Sequence, residues 1–126
     1  MEAKNLRIGN YLIWGYNDDI CRLLKVSENE CAFLAVKKRE STYCDTDYLK
    51  PVKLNEYWLQ GFGFKENEFS YNWENETRLS IYKAGDCFMA QIDNTTIDEI
   101  KYVHELQNLF FAFTKMELNA DELVSA

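Results

Sequence analysis

His104 is the only histidine in the chain, so any Ser/His/Asp triad or Cys/His pair must run through it. Geometry, not presence, makes a histidine a general base. In the first turn of a helix it is expected to be structural. Cys21, Cys31, Cys44 and Cys87 are too widely spaced for a zinc knuckle or a redox CxxC pair. They read as reduced thiols, mostly small hydrophobes of a core. Gly61-Phe62-Gly63-Phe64 carries two glycines of a dinucleotide fingerprint but continues as Lys65-Glu66, without the third. No long buried strand precedes it, so it reads as a turn anchored by its phenylalanines. Asp45, Asp47, Glu66, Glu68, Glu74 and Glu76 read as solvated loop and edge positions. No catalytic residue, metal site or cofactor is expected.

The aromatic residues carry the better hint. Tyr43, Tyr48, Tyr57, Trp58, Phe69, Tyr71, Trp73 and Tyr82 exceed what one helix and one small sheet need. Tyr and Trp join an apolar body to a polar tip, which suits a binding surface or an oligomer interface. On the helix containing His104, Phe111 projects from the polar side, beside His104, Gln107, Asn108 and Lys115. That arrangement suits a second packed surface: a dimer mate, a ligand or a loop of the same chain. The candidate ligand or partner positions are therefore His104, Gln107, Asn108, Phe111 and Lys115, with Trp73, Arg78 and Tyr82 upstream. A nucleotide-like ligand would need cations, for which Arg78 and Lys101 are the candidates.

These residues must be positioned by a single domain of 126 residues, 47% hydrophobic and 15% aromatic, with a formal charge of −7. Such a composition suits a globular protein and argues against disorder. The acidic balance disfavours nucleic acid, which needs a basic footprint. The one basic run, Lys37-Lys38-Arg39, reads as a strand end or hairpin arm. Met1–Asn10 is polar and no apolar run approaches the ~18 residues that span a bilayer. A cytoplasmic setting is expected, with the sequons at Asn75 and Asn94 as chance matches.

Tyr11–Trp14, Ile20–Val26 and Cys31–Val36 read as strands of an antiparallel meander, with polar turns at Asn17-Asp18-Asp19 and Ser27–Glu30. Ser41–Lys50 reads as a further strand or edge, stopped by Pro51. Asn55 is an expected N-cap for a short helix over Glu56–Gln60, with Gly61 at a left-handed C-cap. Phe69–Trp73, Arg78–Tyr82 and Cys87–Ile92 are three more strands, turning at Asn75-Glu76 and Ala84-Gly85-Asp86.

Val103, Leu106, Leu109, Phe110, Phe113 and Met116 fall on one arc of a helix. Thr96-Ile97-Asp98-Glu99 matches a capping box, yet a helix from Thr96 would turn Ile97 and Ile100 off that arc. The reading preferred is an extended segment to about Tyr102 and a helix from Val103 to about Lys115. The acidic tail after Leu118 is expected to fray. The expected segments are thus a meander over residues 1–50, a short helix and turn over 51–64, a β-rich stretch over 65–102, a helical segment over 103–118 and a tail over 119–126. The expected class is α+β: an antiparallel, bent or SH3-like, barrel-like sheet with a long C-terminal and a short central helix.

Three stretches, AKNLRIGNYL, LKPVKLNEYWLQGFGFK and IKYVHELQNLFFAFTKMEL, resemble in order and spacing a family of small proteins of Bacteroides-type bacteria and their phages and prophages. YVHELQNLFFAFT is the most specific piece and NLRIGN the next. Lys115-Met116 stands where that pattern more usually has a glycine, so a slightly longer helix is expected. The resemblance implies a phage or prophage origin. The family has no established activity, so the resemblance transfers no catalytic residue.

Together these readings lead to the expectation of a small non-enzymatic binding protein that inhibits a host defence protein or sequesters a nucleotide-derived signal. A structural or assembly oligomer without a ligand is the alternative, and a small enzyme ranks last.

Overall fold

The computed structural model describes residues 3–15, 18–28, 30–68, 70–73 and 76–125. Contacts divide the chain into two compact units, residues 1–52 with 102–126, and residues 53–101. Each contains one five-stranded antiparallel sheet, and neither sheet closes into a barrel.

The first unit holds β1 (Tyr11–Trp14), β2 (Asp19–Val26), β3 (Glu30–Ala35), β4 (Glu40–Asp45) and β5 (Leu49–Pro51), in the order β4-β3-β2-β1-β5. β2 carries a bulge between Leu23 and Lys25, a device that bends a strand and sharpens its twist. Leu6, Leu12, Cys21, Leu23, Cys31, Phe33 and Leu49 form a core under the meander, and the rings of Trp14 and Phe33 meet at 5.0 Å. Lys37-Lys38-Arg39 lies in the β3–β4 turn, where Lys38 pairs with Asp19 at 3.0 Å.

Ser41–Lys50 is not one strand. Asp45 Oδ1 accepts the Asp47 N–H at 3.0 Å and opens a 3₁₀ turn over Thr46–Tyr48, so the stretch breaks into β4 and β5. Short acidic side chains compete with a ladder in this way. Pro51 ends β5, an edge strand, where a missing N–H is tolerated.

Three α-helices follow in chain order: α1 over Glu56–Gly61, α2 over Val103–Thr114 and α3 over Asp121–Ser125. α2 starts at Val103 as expected, with Glu105 Oε1 accepting the Tyr102 N–H at 2.9 Å. It ends at Thr114, within one residue of the expected end at about Lys115, and is not lengthened as the resemblance implied. Lys115 takes the left-handed conformation at φ 64° and donates its N–H to Phe111 O, where a glycine is usual.

The buried face of α2 is also rotated from the expected arc. Val103, Leu106 and Phe110 are buried, but so are His104 and Gln107, while Leu109 and Phe113 are half-buried and Met116 is exposed. The cause is a set of partners for the polar residues, described below. The tail does not fray. Leu118 and Ala120 are buried, α3 follows, and the Tyr11 hydroxyl donates to Asp121 while accepting the Ala120 N–H. Arg22 pairs with Asp121 at 3.2 Å.

The second unit is a plain meander: β6 (Phe64–Glu66), β7 (Tyr71–Trp73), β8 (Glu76–Ala84), β9 (Cys87–Ile92) and β10 (Thr95–Ile100), in the order β10-β9-β8-β7-β6. Asn55 caps α1 by accepting the Trp58 N–H at 3.0 Å. Gly61 is not the C-cap. It is the last helical residue, Phe62 caps in right-handed conformation, and Gly63 carries the positive φ of 99°. Phe62 and Phe64 are buried, anchoring this turn. Asp93 and Asn94, at φ 51° and 69°, form the two-residue turn between β9 and β10. Positive φ at both centres is what a tight hairpin of this twist requires. The Thr96–Glu99 capping-box match therefore lies in a strand. Asn17, Phe69, Glu74 and Asn75, and the side chains of Cys44 and Glu76, lie outside the described residues.

Candidate functional site

The polar side of α2 is occupied by the chain's own N-terminal loop, NLRIGN. Asn10 is fully buried and its Oδ1 accepts the Arg7 N–H at 2.7 Å, folding the loop on itself. Gly9, at φ 95°, makes the turn. Gln107 is fully buried; its Oε1 accepts the Tyr11 N–H and its Nε2 donates to Gly9 O, both at 2.9 Å. Asn108 accepts from Asn10 Nδ2 at 2.9 Å and donates to Asn5 O at 3.1 Å. The Arg7 guanidinium lies 4.2 Å from the centre of the Phe111 ring, a cation–π distance, and pairs with Glu117. The Lys115 ammonium is 5.8 Å from the same ring. Of the surfaces expected over Phe111, the structure therefore supplies a loop of the same chain.

His104 is buried, its ring stacked on Tyr102 at 6.0 Å. Its Nδ1 has no hydrogen-bond partner among the described residues. Burial holds its pKa below the usual imidazole value, with Glu105 pulling weakly the other way. The ring is thus enclosed, and its burial favours the neutral form. Cys87 donates its thiol to Ala84 O at 3.2 Å, and burial, then Glu99, push its pKa up. A protonated thiol is a poor nucleophile. Cys21 and Cys31 are buried thiols.

In the second unit, Trp73 donates its indole N–H to Phe62 O at 3.0 Å and so belongs to the Gly63 turn. Arg78 grips Asp93 with two nitrogens, Nε at 3.0 Å and a terminal nitrogen at 2.6 Å, which holds the Asp93 carboxyl below its usual range. That guanidinium is committed to a neighbour. Tyr82 stands on the outer face of the sheet, its hydroxyl 3.0 Å from Thr96 Oγ1.

A cleft of about 390 Å³ lies between the start of α1 and the β8–β9 turn, lined among others by Lys53, Glu56, Tyr57, Lys83, Asp86 and Phe88. Tyr57 is 61% exposed. Glu56 is drawn to the Tyr71 hydroxyl, which burial and that hydrogen bond push up to about 12. Neither Lys53 nor Lys83 has an ion-pair partner among the described residues. A second depression, of about 340 Å³, lies on the outer sheet face around Ser80, Tyr82 and Gln91.

Among the described residues no three His, Cys, Asp or Glu side chains converge as a metal site, and no helix is long and apolar enough to cross a membrane. No family model, no curated protein and no solved structure matches the chain.

The eight expected positions are thus dispersed. Gln107, Asn108 and Phe111 come together under the N-terminal loop, with Lys115 at the edge. His104 is in the core, Trp73 is on β7 and tied to the Gly63 turn, and Arg78 is in an ion pair. Tyr82 alone faces an open depression. Sequence reasoning missed Lys53 and Lys83, which are scattered singly and give no local signal. It also missed Ser80, Gln91 and Asn94. The alternation of Leu79 and Ile81 with Ser80 and Tyr82 was the signal that could have placed the first on an outer face.

Proposed function

We propose that the chain is a small phage- or prophage-encoded protein of the bacterial host cytoplasm that acts by occupancy and captures a nucleotide-derived signal. The observation that carries this reading is the cleft with the open Tyr57 ring and the two lysines, Lys53 and Lys83, that lack ion-pair partners among the described residues. In a chain of formal charge −7, lysines left without carboxylate partners beside an exposed ring suit a ligand that is both anionic and aromatic. Arg78, committed to Asp93, does not serve that role. Support for occupancy over turnover comes from the burial of His104, the only histidine in the chain.

Calorimetry of the whole chain against adenine and guanine mono-, di- and cyclic nucleotides tests the reading. Binding of at least one is expected, weakened by salt and lost in Lys53→Glu/Lys83→Glu. No heat at ligand concentrations of about 1 mM, where fragments of ordinary efficiency register, overturns it.

A second reading, a protein that docks on a host protein or on copies of itself, is favoured by Tyr43 and Tyr48, which are 77% and 52% exposed. Light scattering of the pure chain, and of Tyr43→Ser/Tyr48→Ser, separates the two: a concentration-dependent mass abolished by that variant supports assembly.

A further inference from the structure

The outer face of the second unit's sheet carries a continuous row of uncharged polar side chains. Along β8, Leu79 and Ile81 are buried and alternate with half-buried Ser80 and Tyr82; on β9, Phe88 and Ala90 are buried and Gln91 is half-buried. Strand register pairs Asn72 with Ser80, Ser80 with Gln91 and Gln91 with Thr96. Directly paired residues share a face, so these four form one polar row across β7 to β10. The row reaches Lys65 only at β6. The adjoining row pairs Tyr82 with Met89. The depression here, about 340 Å³, is lined by Ser70, Ser80, Tyr82, Gln91 and Asn94, and none of the five is charged.

Ser70 Oγ is committed to Asn67 and Asn72, at 3.3 and 3.1 Å, but its neighbours have few protein partners. Among the described residues Ser80 Oγ and the Asn94 amide have no hydrogen-bond partner, and Gln91 has one contact at 3.5 Å. Tyr82 is held in place by Thr96, at 3.0 Å between the hydroxyls. Arg78, at the same hairpin, is paired with Asp93.

We propose that this face binds an uncharged, polyhydroxylated ligand of about one sugar ring. Amide and hydroxyl groups both donate and accept, which matches a ring of hydroxyls that does the same, whereas an anion would use only their donors. The Tyr82 ring beside Met89 offers an apolar patch for the C–H face of such a ring. The volume falls at the lower end for small-ligand sites.

The test is nuclear magnetic resonance of the whole ¹⁵N-labelled chain, titrated with D-glucose, D-galactose, N-acetylglucosamine and D-ribose to concentrations on the order of tens of millimolar. At least one sugar is expected to shift the side-chain amides of Gln91 and Asn94 in a saturable way. Gln91→Ala and Ser80→Ala each weaken that binding roughly tenfold, the loss expected for one good hydrogen bond, and leave the melting temperature unchanged. Lys53→Glu/Lys83→Glu keeps the sugar response, so failure of the nucleotide cleft and failure of this face are separate results. The proposal is overturned if none of the four sugars moves these amides, if the alanine variants bind as well as wild type, or if inorganic phosphate shifts the amides more than any sugar.

Discussion

Gln107 on α2 and Gln91 on β9 are the same residue type at polar positions of amphipathic elements, and their amides have opposite fates. Gln107 is fully buried, accepting from Tyr11 and donating to Gly9, residues nearly a hundred positions away in the chain. Gln91 is half-buried and makes a single contact at 3.5 Å. Around Gln107, Asn10, Asn108 and Arg7 are likewise committed to one another or to the backbone. Around Gln91, Ser80 and Asn94 are not. A polar residue on a helix is therefore a weak mark of a binding site when a loop of the same chain can return to satisfy it. Saturation of hydrogen bonds, not polarity, separates the structural cluster from the candidate sites.

The largest effect is expected from loosening α2 where it is most deeply buried. Phe110 is fully buried, and Phe110→Ala is expected to cost ~3–5 kcal/mol in urea unfolding. Phe113, half-buried, should cost clearly less. Equal losses would mean that α2 packs on the arc read from the sequence and not on the rotated face.

The second measurement sets the two glutamines side by side. Gln107→Leu leaves the Tyr11 N–H and the Gly9 carbonyl unpaired in the interior, at a cost of ~2–4 kcal/mol. Gln91→Leu, on an unsaturated face, should change stability by less than ~0.5 kcal/mol. Similar losses for both would break the distinction drawn above.

Phe111→Ser removes the ring beneath the Arg7 guanidinium. The expected cost is ~1–2 kcal/mol, for one partly buried apolar contact with its cation–π component. The mass by light scattering should be unchanged, since the chain itself covers this ring. A change of mass with an unchanged melting temperature would show Phe111 serving an interface.

His104 supplies a pH signature of the same unit. Its folded pKa lies below the unfolded value near 6.5. The unfolded chain therefore binds a proton that the fold resists. Stability should be fully present above about pH 6.5 and fall as pH drops towards the folded pKa. His104→Phe should flatten that segment of a stability-versus-pH curve, and an unchanged slope would mean that carboxylates alone set it.

The smallest effect is at Lys115, where a side chain occupies the left-handed C-cap at φ 64°. Lys115→Gly relieves that strain against a larger unfolded-state entropy, and thermal melting should show a gain of up to about 1 kcal/mol. A loss would mean that the ammonium's position 5.8 Å from the Phe111 ring matters more than the backbone.

By itself the sequence determined what depends on a few neighbouring residues. The limits of β1 and β9 follow from apolar runs between polar turns, and the observed strands agree at both ends. Asn55 capped α1 as its side chain dictates, and the mismatch of Ile97 and Ile100 with the helical arc placed the start of α2 at Val103. The Asp93-Asn94 turn is equally local, but residues 93–102 read from the sequence as one extended segment, with no turn placed there. Tertiary structure alone decided the division into two sheets, the return of NLRIGN to α2 and the fixing of α3 by Tyr11 and Arg22. It also decided which polar groups are satisfied and which stand open, as at Ser80 and Asn94. The physical reason is range. Periodicity and caps act within one or two turns of chain, whereas an amide such as that of Gln107 finds partners about a hundred residues away, and no local pattern records which partner it meets.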